Sequence, residues 1–395
     1  MRETVRQVVL CEDRGIARRV ARGHPWLWRE AIARGLSGAQ AGEQVQVSAA
    51  DGTPIGRGLI DPSSPIAVRL WTHGRRAIDD ALWLERLQRA SALRATLLHP
   101  ARCNAYRLVN GEGDRMPGFV VDRYGPVAVL RTDGEAAGSR ADEFARLLAP
   151  TLDAFDVPTL VHRSGGKGET PTLRVLRGPP PPDTVAVQEH GVPFFVDLAH
   201  GQKTGAFLDQ RENRARVGVL ARGRRVLNLF SYAGGFSLHA ALGGSLEVTS
   251  VDTATAAHAT ASASFRAAGI DPSAHAFVTA EAHAFLDAAR SRKQTWDLVV
   301  SDPPSFAPNE KATQRALSAY RALHRACAEV LAPGGIMCAA SCSSHVDAEA
   351  FLGTLDDATL GPRALSLLEL RGAGPDHPTL PAFPEGRYLK FAVLG

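Results

Sequence analysis

Two carboxylates and one thiol stand at the ends of apolar runs in the second half of this chain, where chemistry could be done. Asp252 closes Val248-Thr-Ser-Val-Asp252, Asp302 closes Trp296-Asp-Leu-Val-Val-Ser-Asp302, and Cys342 closes Gly335-Ile-Met-Cys-Ala-Ala-Ser-Cys342. Ahead of them, Arg225-Val-Leu-Asn-Leu-Phe-Ser-Tyr-Ala-Gly-Gly-Phe-Ser237 leads an apolar strand into small turn-forming residues and an Ala-rich helix. Such a turn lets a ligand approach backbone N–H groups at a helix N-terminus, where the dipole favours a carboxylate or phosphate. An acid about 20 residues after the turn begins is placed to hydrogen-bond ribose hydroxyls. The three strand ends therefore describe a nucleotide-cofactor site with an acid and a thiol beside it.

The elements that must position these groups alternate. From residue 186 to the C-terminus strands follow helices in the pattern of a doubly wound parallel sheet, an α/β fold. Gly178-Pro-Pro-Pro-Pro182, just before it, reads as a stiff, extended linker. Residues 76–185 read as an α+β middle part. A helix is expected from Asp79 to Leu98, with Leu82, Leu87 and Leu93 near one face. Strands are expected at Tyr106–Val109, Gly118–Tyr124, Val127–Arg131 and near Leu160, with a helix at Ala141–Leu148. Residues 1–75 read as a β-rich unit with strands at Val45–Val47, Pro54–Pro62 and Ile66–Trp71. Their spacing suits a small closed barrel.

A chain of 395 residues calls for two or three domains, and 45% hydrophobic with 22% charged residues suffices for real cores. No apolar run approaches the roughly 20 residues of a membrane span. Met1-Arg-Glu-Thr-Val-Arg-Gln lacks the apolar region of a signal peptide, so a cytoplasmic location is expected. Five cysteines without a Cys-x-x-Cys pair argue against a disulfide framework or a zinc site, and no metal is expected. A net charge of +4 weakly favours an anionic partner. Arg14, Arg18, Arg19 and Arg22 crowd the stretch before His24-Pro-Trp-Leu-Trp28, although a basic face can also be merely solvated.

Several cofactors use a strand, a glycine turn and a downstream acid. NAD is disfavoured because the turn lacks Gly-x-Gly-x-x-Gly, and ATP because no Gly-x-x-x-x-Gly-Lys-[Ser/Thr] occurs. S-adenosylmethionine fits better. Asp252 would take its ribose, the Ser231–Gly235 turn would lie against its methionine end, and Glu281 would approach its adenine. Gly234-Gly235 alone could be only a turn. The ordered succession with Asp302-Pro303-Pro304 is what favours the cofactor.

These motifs resemble the ribosomal RNA cytosine methyltransferases that carry an N-terminal PUA domain, a family acting on large-subunit ribosomal RNA. The resemblance covers nearly the whole length. It is carried by Arg22-Gly-His-Pro-Trp26, Gly56-Arg-Gly-Leu59, Tyr106-Arg-Leu-Val-Asn-Gly-Glu112 and Pro117-Gly-Phe-Val-Val-Asp-Arg-Tyr124. Further on come Gly201-Gln-Lys-Thr-Gly-Ala-Phe-Leu-Asp-Gln-Arg211, Asp302-Pro-Pro-Ser-Phe306, Ser341-Cys-Ser343 and Pro384-Glu-Gly-Arg-Tyr-Leu-Lys390. It implies a PUA-like β-barrel at 1–75, the α+β part at 76–185 and a class I methyltransferase domain at 186–395. It implies 5-methylcytosine as product, ribosomal RNA or a ribosomal subunit precursor as partner, and no membrane, and it admits a homodimer. Cofactor binding is implied for Lys203, Gln210, Phe230, Ser231, Tyr232, Gly234, Asp252, Glu281 and Asp302. Glu281 departs from the family's usual Asp, Ser344 from the Gly of close relatives, and the helix after Asp252 is unusually Ala-rich.

Carbon 5 of cytosine is a poor nucleophile, and a thiolate adding to carbon 6 would activate it. Cys342 is the candidate thiol, whereas Cys338 and Cys327 lie in apolar surroundings and read as core. Its thiolate needs a positive charge or N–H groups nearby, which the sequence does not identify. Asp302 would hydrogen-bond the ring nitrogen and exocyclic amine of the base, on a loop stiffened by Pro303 and Pro304. His345, His377 or a water could remove the carbon-5 hydrogen. The base must leave its stack, which points to unpaired RNA. Arg18, Arg19 and Arg22 would grip that RNA, while Lys203 and Arg211 would hold either the cofactor carboxylate or an RNA phosphate. Two rivals are the same scaffold acting on another base or position without a cysteine nucleophile, and a non-catalytic RNA-binding assembly factor.

Overall fold

The computed structural model describes residues 5–12, 14–165, 172–307 and 309–395; the side chain of Arg14 falls outside it. Two compact units result: Met1–Val185 with Leu198–Ala206 and Pro375–Gly386, and Ala186–Asp197 with Phe207–Gly374 and Arg387–Gly395.

The first unit opens with β1 (Arg6–Leu10), α1 (Arg14–Ala21), β2 (Trp26–Trp28), β3 (Ile32–Arg34), β4 (Gln44–Ser48), β5 (Pro54–Ile60) and β6 (Ile66–His73). The strands form one sheet in the order β2-β6-β5-β4-β1-β3. Val8, Leu10, Leu27, Val45, Val47, Ile60, Val68 and Leu70 from five of them meet Val20 of α1 in one core. Burying one side of alternating strands around a common centre is the economy of a small barrel. Strands β1, β2 and β3 are too short or too charged to have been legible in the sequence.

Next come α2 (Asp80–Leu97), β7 (Ala105–Asn110), β8 (Phe119–Tyr124), β9 (Val127–Thr132), α3 (Glu135–Gly138), α4 (Ala141–Ala154), β10 (Thr159–Ser164) and β11 (Thr172–Arg177), with a sheet ordered β11-β10-β9-β8-β7. Asp79 caps α2, its Oδ1 accepting from the Leu82 N–H at 2.9 Å. The buried face is Leu82, Trp83, Arg86, Leu87, Ala90 and Arg94, and Leu93 is exposed. Sequence reading placed Leu93 on the inner face. Arg94 occupies it instead, because its guanidinium donates to both oxygens of Asp114 at 2.7 Å. Leu59 and Trp71 share the core of Trp83, Phe119 and Phe144, so residues 1–75 and the middle part are joined in one hydrophobic centre.

A two-stranded ribbon, β12 (Thr184–Glu189) and β13 (Val192–Asp197), precedes a seven-stranded sheet. That sheet is built from α5 (Arg211–Leu220), β14 (Arg225–Leu229), α6 (Gly235–Leu242), β15 (Glu247–Asp252), α7 (Thr255–Ala267), β16 (Ala276–Thr279), α8 (Ala282–Ser291), β17 (Trp296–Ser301), α9 (Thr313–Glu329), β18 (Leu331–Ser341), α10 (Ala348–Leu352), α11 (Asp357–Leu360), β19 (Leu367–Arg371) and β20 (Lys390–Leu394). Its order is β16-β15-β14-β17-β18-β20-β19, with the first five parallel and β20 antiparallel to both of its neighbours, β18 and β19. Alternation sorts the apolar residues onto two faces. Val226, Leu298, Val300, Cys338, Phe391 and Val393 pack with α5 and α6, while Leu227, Leu229, Val299, Met337, Ala392 and Leu394 pack with α8 and α9. The order reverses between β14 and β17, and loops leaving the carboxyl ends of strands beside such a switch point border the usual crevice of an open α/β sheet. Among the described residues no helix is long and apolar enough to cross a membrane.

Candidate active site

The turn after β14 is held in a backbone conformation that side chains resist. Phe230 and Tyr232 have φ of 57° and 47°, in the left-handed region, as does Gly234 at 75°. Each non-glycine residue there is unfavourable by about 1–2 kcal/mol, so the surrounding bonds must impose the shape. The Ser231 N–H donates to Val251 O at 3.0 Å and the Gly234 N–H to Ser231 O at 2.8 Å. Asp252, at the end of β15, accepts the Tyr232 N–H on Oδ2 at 2.7 Å and the Ala254 N–H on Oδ1 at 2.9 Å. The acid and the turn are thus one bonded assembly. Beneath it Asn228 Nδ2 donates to Ser237 Oγ at 2.8 Å, which meets Ser250 Oγ at 2.7 Å.

Two atoms of this turn want a partner. Ser231 Oγ and Asn228 Oδ1 are buried with no hydrogen bond inside the protein. A buried polar atom left this way is costly unless a ligand or water meets it. An orphaned hydroxyl, a strained turn opening α6 and an acid at the next strand end fit a nucleoside cofactor with a charged tail. Gln210 is buried beside the start of α5, its Oε1 accepting from Asn213 Nδ2 at 2.6 Å. Glu281 caps α8, with Oε2 taking the Ala284 N–H at 2.9 Å. Burial acts to raise its pKa, but the N–H groups of the first helical turn outweigh this and hold it below the ordinary value. An ionised acid therefore stands at the end of β16.

A buried charged cluster backs the assembly. Arg214 of α5 donates to Glu189, with Nη2 to Oε2 at 2.6 Å, and His239 of α6 meets Glu189 Oε1 at 2.9 Å. Burial opposes the charge on Glu189, but Arg214 and His239 prevail and keep its pKa well below the usual carboxylate range.

Asp302 and Cys342 leave neighbouring strands. Ser301 is in register with Ala339, so the two groups follow β17 and β18 on the same side of the sheet. A chain of hydroxyls ties their loops: Ser305 Oγ to Ser343 Oγ at 3.0 Å, Ser343 Oγ to Tyr320 Oη at 3.1 Å, and Tyr320 Oη to Ser341 Oγ at 2.9 Å. Burial raises the Tyr320 pKa against its bonds to Ser341 and Ser343, and negative charge on Cys342 and Asp302 raises it further. Cys342 is half-buried. Cys338 and Cys327 are fully buried, and burial pushes each thiol up to about 12, so neither is a nucleophile near neutral pH.

Sequence reading missed Tyr320, Ser305 and Lys390 as parts of this centre, though the hydroxyls flanking the thiol in Ser341-Cys-Ser343 were a signal. One assignment is corrected. Arg211 is completely buried, with Nε on Glu212 Oε1 at 3.0 Å, so its guanidinium offers no face to an RNA phosphate. Lys203 lies in the first unit, with φ of 53°. Arg18, Arg19 and Arg22 are exposed on and just after α1. Of the candidate bases, His345 is exposed, while His377 of the first unit is buried against Asp376 Oδ1 at 3.1 Å.

Known proteins share these features. Residues 159–382 match the S-adenosylmethionine-dependent methyltransferase family and residues 13–73 the PUA-like domain. The chain is 35% identical, over 96% of its length and 97% of the relative's, to ribosomal RNA large subunit methyltransferase I of Shewanella denitrificans. It is 39% identical to the ribosomal RNA large subunit methyltransferase of Deinococcus radiodurans, over 94% of this chain and 93% of that one. The fold superposes on a Streptococcus mutans SAM-dependent methyltransferase with a TM-score of 0.85 at 22% identity, covering 99% and 100% of the two chains. A methyltransferase structure complexed with SAH gives 0.86 at 24% identity, with both chains fully covered.

Proposed function

From the premise that the chain belongs to the S-adenosylmethionine-dependent methyltransferases and carries a PUA-like domain, we propose that it forms 5-methylcytosine in large-subunit ribosomal RNA through a covalent adduct on Cys342. The substrate class follows the names of relatives that align over nearly the entire chain. The single observation behind the adduct is the half-buried Cys342 at the carboxyl edge of the sheet, in a loop whose Ser343 Oγ is bonded at 3.0 Å to Ser305 Oγ of the Asp302 loop.

In this reading Asp252 binds the ribose hydroxyls, the turn from Phe230 to Gly234 cradles the methionine end, and Glu281 approaches the adenine. Gln210 completes the pocket. S-adenosylmethionine supplies an electrophilic methyl group. Cys342 as thiolate adds to carbon 6 of an unstacked cytosine, and the ring's electron pair becomes available at carbon 5. Asp302 in protonated form donates to the ring nitrogen, accepts from the exocyclic amine and so neutralises the negative charge that develops on the ring as the thiolate adds. Carbon 5 takes the methyl group, a base removes its hydrogen, and the electron pair of that C–H bond restores the ring double bond as the thiolate leaves. Arg18, Arg19 and Arg22 supply RNA affinity.

The test is methyl transfer from labelled S-adenosylmethionine to unmodified ribosomal RNA, comparing wild type with Cys342→Ala and identifying the product nucleoside. Labelled 5-methylcytosine that disappears in the variant is the expected result. Label on another nucleoside that survives the substitution would overturn the adduct and leave a methyltransferase of different base specificity.

A further inference from the structure

Deepening the Cys342 reading, on which it rests, we infer that Lys390 is the positioning charge that makes Cys342 a nucleophile. Residue 390 opens β20, and β20 pairs antiparallel with β18 so that Lys390 sits opposite Ser341, one residue before the thiol. Its side chain does not run out to solvent. Lys390 is 4% exposed, and Nζ donates to Ser343 O at 2.6 Å and Tyr388 O at 2.8 Å. The two carbonyls fix the ammonium within the loop that carries Cys342, on either side of which lie Ser341 and Ser343.

Both fixed partners are neutral, so they satisfy two N–H donors without balancing the charge. An ammonium buried in this way needs an anion nearby. The groups whose charge acts on Lys390 are Cys342 and Asp347. Asp347 already caps α10, with Oδ1 taking the Ala350 N–H at 2.8 Å. Tyr320 of α9 bonds the hydroxyls of Ser341 and Ser343 beside the thiol, and neither it nor Asp302 of the loop after β17 brings positive charge. Lys390 does bring one. Burial brings its pKa down to about 8, against the pull of Cys342 and Asp347, so the amine remains largely protonated at neutral pH. The coupling is reciprocal: a thiolate that favours the ammonium is favoured by it to the same degree. An opposite charge within about 4–6 Å displaces a titration by roughly 1–3 units.

The experiment measures the pH dependence of iodoacetamide alkylation at the Cys342 peptide by mass spectrometry on the full chain. Cys11, the other half-buried thiol, serves as internal reference. Lys390→Gln removes the charge and keeps an N–H donor for the two carbonyls; Lys390→Met removes both; Lys390→Arg keeps the charge. The midpoint at Cys342 should rise by about 1–3 units in Lys390→Gln and Lys390→Met and stay near the wild-type value in Lys390→Arg, with Cys11 unmoved. Coincident midpoints in wild type and Lys390→Gln would overturn the inference. Trapping of wild type on RNA containing 5-fluorocytosine is run in parallel. A failure to trap alongside an intact Lys390-dependent midpoint would refute the adduct reading alone, since alkylation needs no RNA.

Discussion

Replacing Gly234 by alanine isolates the strain in the cofactor turn. The backbone there has φ of +75°, and an added Cβ would stand 2.7 Å from the Cβ of Ala261 on α7. The left-handed conformation alone costs a side chain about 1–2 kcal/mol. The forced approach adds roughly 1–3 kcal/mol, as overpacking does in a filled core. Gly234→Ala should therefore weaken the sheet by about 2–5 kcal/mol and lower S-adenosylmethionine affinity, because Ser231 and Tyr232 shift with it. Ala261→Gly tests the cause. Alone it costs about 1 kcal/mol of helix propensity. Combined with Gly234→Ala it removes the colliding methyl, so the pair should be less damaging than the sum by roughly 1–3 kcal/mol, the overpacking share. Gly223→Ala is the control, since φ is +68° and nothing lies within 4 Å of the new Cβ. Only the conformational cost applies there. Hydrogen exchange at β14 and β15 amides reads the opening free energy locally, and calorimetry reads the cofactor. Additivity of the two substitutions within about 0.5 kcal/mol, or a Gly223→Ala loss equal to that of Gly234→Ala, would refute the steric account.

Two further outcomes follow from charge. Replacing Arg18, Arg19 and Arg22 together with alanine should weaken RNA binding and reduce its salt slope by up to about 2, at roughly 0.7 per phosphate lost from a single strand; a filter-binding salt series with an unchanged slope would exclude the basic face. Glu189→Gln should destabilise by about 3–5 kcal/mol at neutral pH, because Arg214 is left buried with its charge unmet. The Glu189 pKa is depressed in the fold, so its stabilisation is complete above the ordinary value of 4.5 and is lost as pH falls towards the folded value. Urea unfolding should show wild type losing its advantage over Glu189→Gln below about pH 4.5, and parallel pH profiles would contradict this.

The seven-stranded sheet was legible because its signals are local. Three of its parallel strands are short, mostly apolar runs, each closed by a residue that breaks the run: Phe230 before the Ser-Tyr-Ala-Gly-Gly turn, Asp252, and Asp302 before two prolines. Asp79 announced α2 in the same way, as an acid immediately before a helical pattern. Residues whose place depends on distant partners were not legible. Arg94 reads as a solvated helix residue until Asp114 and the Asp376 carbonyl are brought to it, and then the charge lies inside while Leu93 lies outside. Arg211 misled for the same reason, its surroundings being set by tertiary packing. Lys390 closes the motif Pro384-Glu-Gly-Arg-Tyr-Leu-Lys390, but nothing in that motif links it to Cys342, and only the antiparallel pairing of β18 with β20 brings it to the loop of the thiol.

That pairing also explains how two cysteines four residues apart on one strand have opposite chemistry. Cys338 is in register with Val300 on one side and Val393 on the other, within the sheet. Burial, with Glu369 adding to it and outweighing the pull of Arg216, drives the pKa up to about 12. Moving four residues along takes the chain past Ser341, the last residue of β18, to where the ladder ends and loops from β17 and β18 meet. There the same side chain type acquires a half-open position, a chain of hydroxyls and an ammonium fixed by two carbonyls. A thiolate is a matter of what charge is near and how much water is excluded, not of the cysteine itself. In an open parallel sheet both conditions change abruptly at the carboxyl edge. If Lys390 and the edge position create the nucleophile, Cys342→Ala, which keeps Cys338 on the same strand, should give no covalent trapping on RNA containing 5-fluorocytosine, and trapping through Cys338 would refute this account.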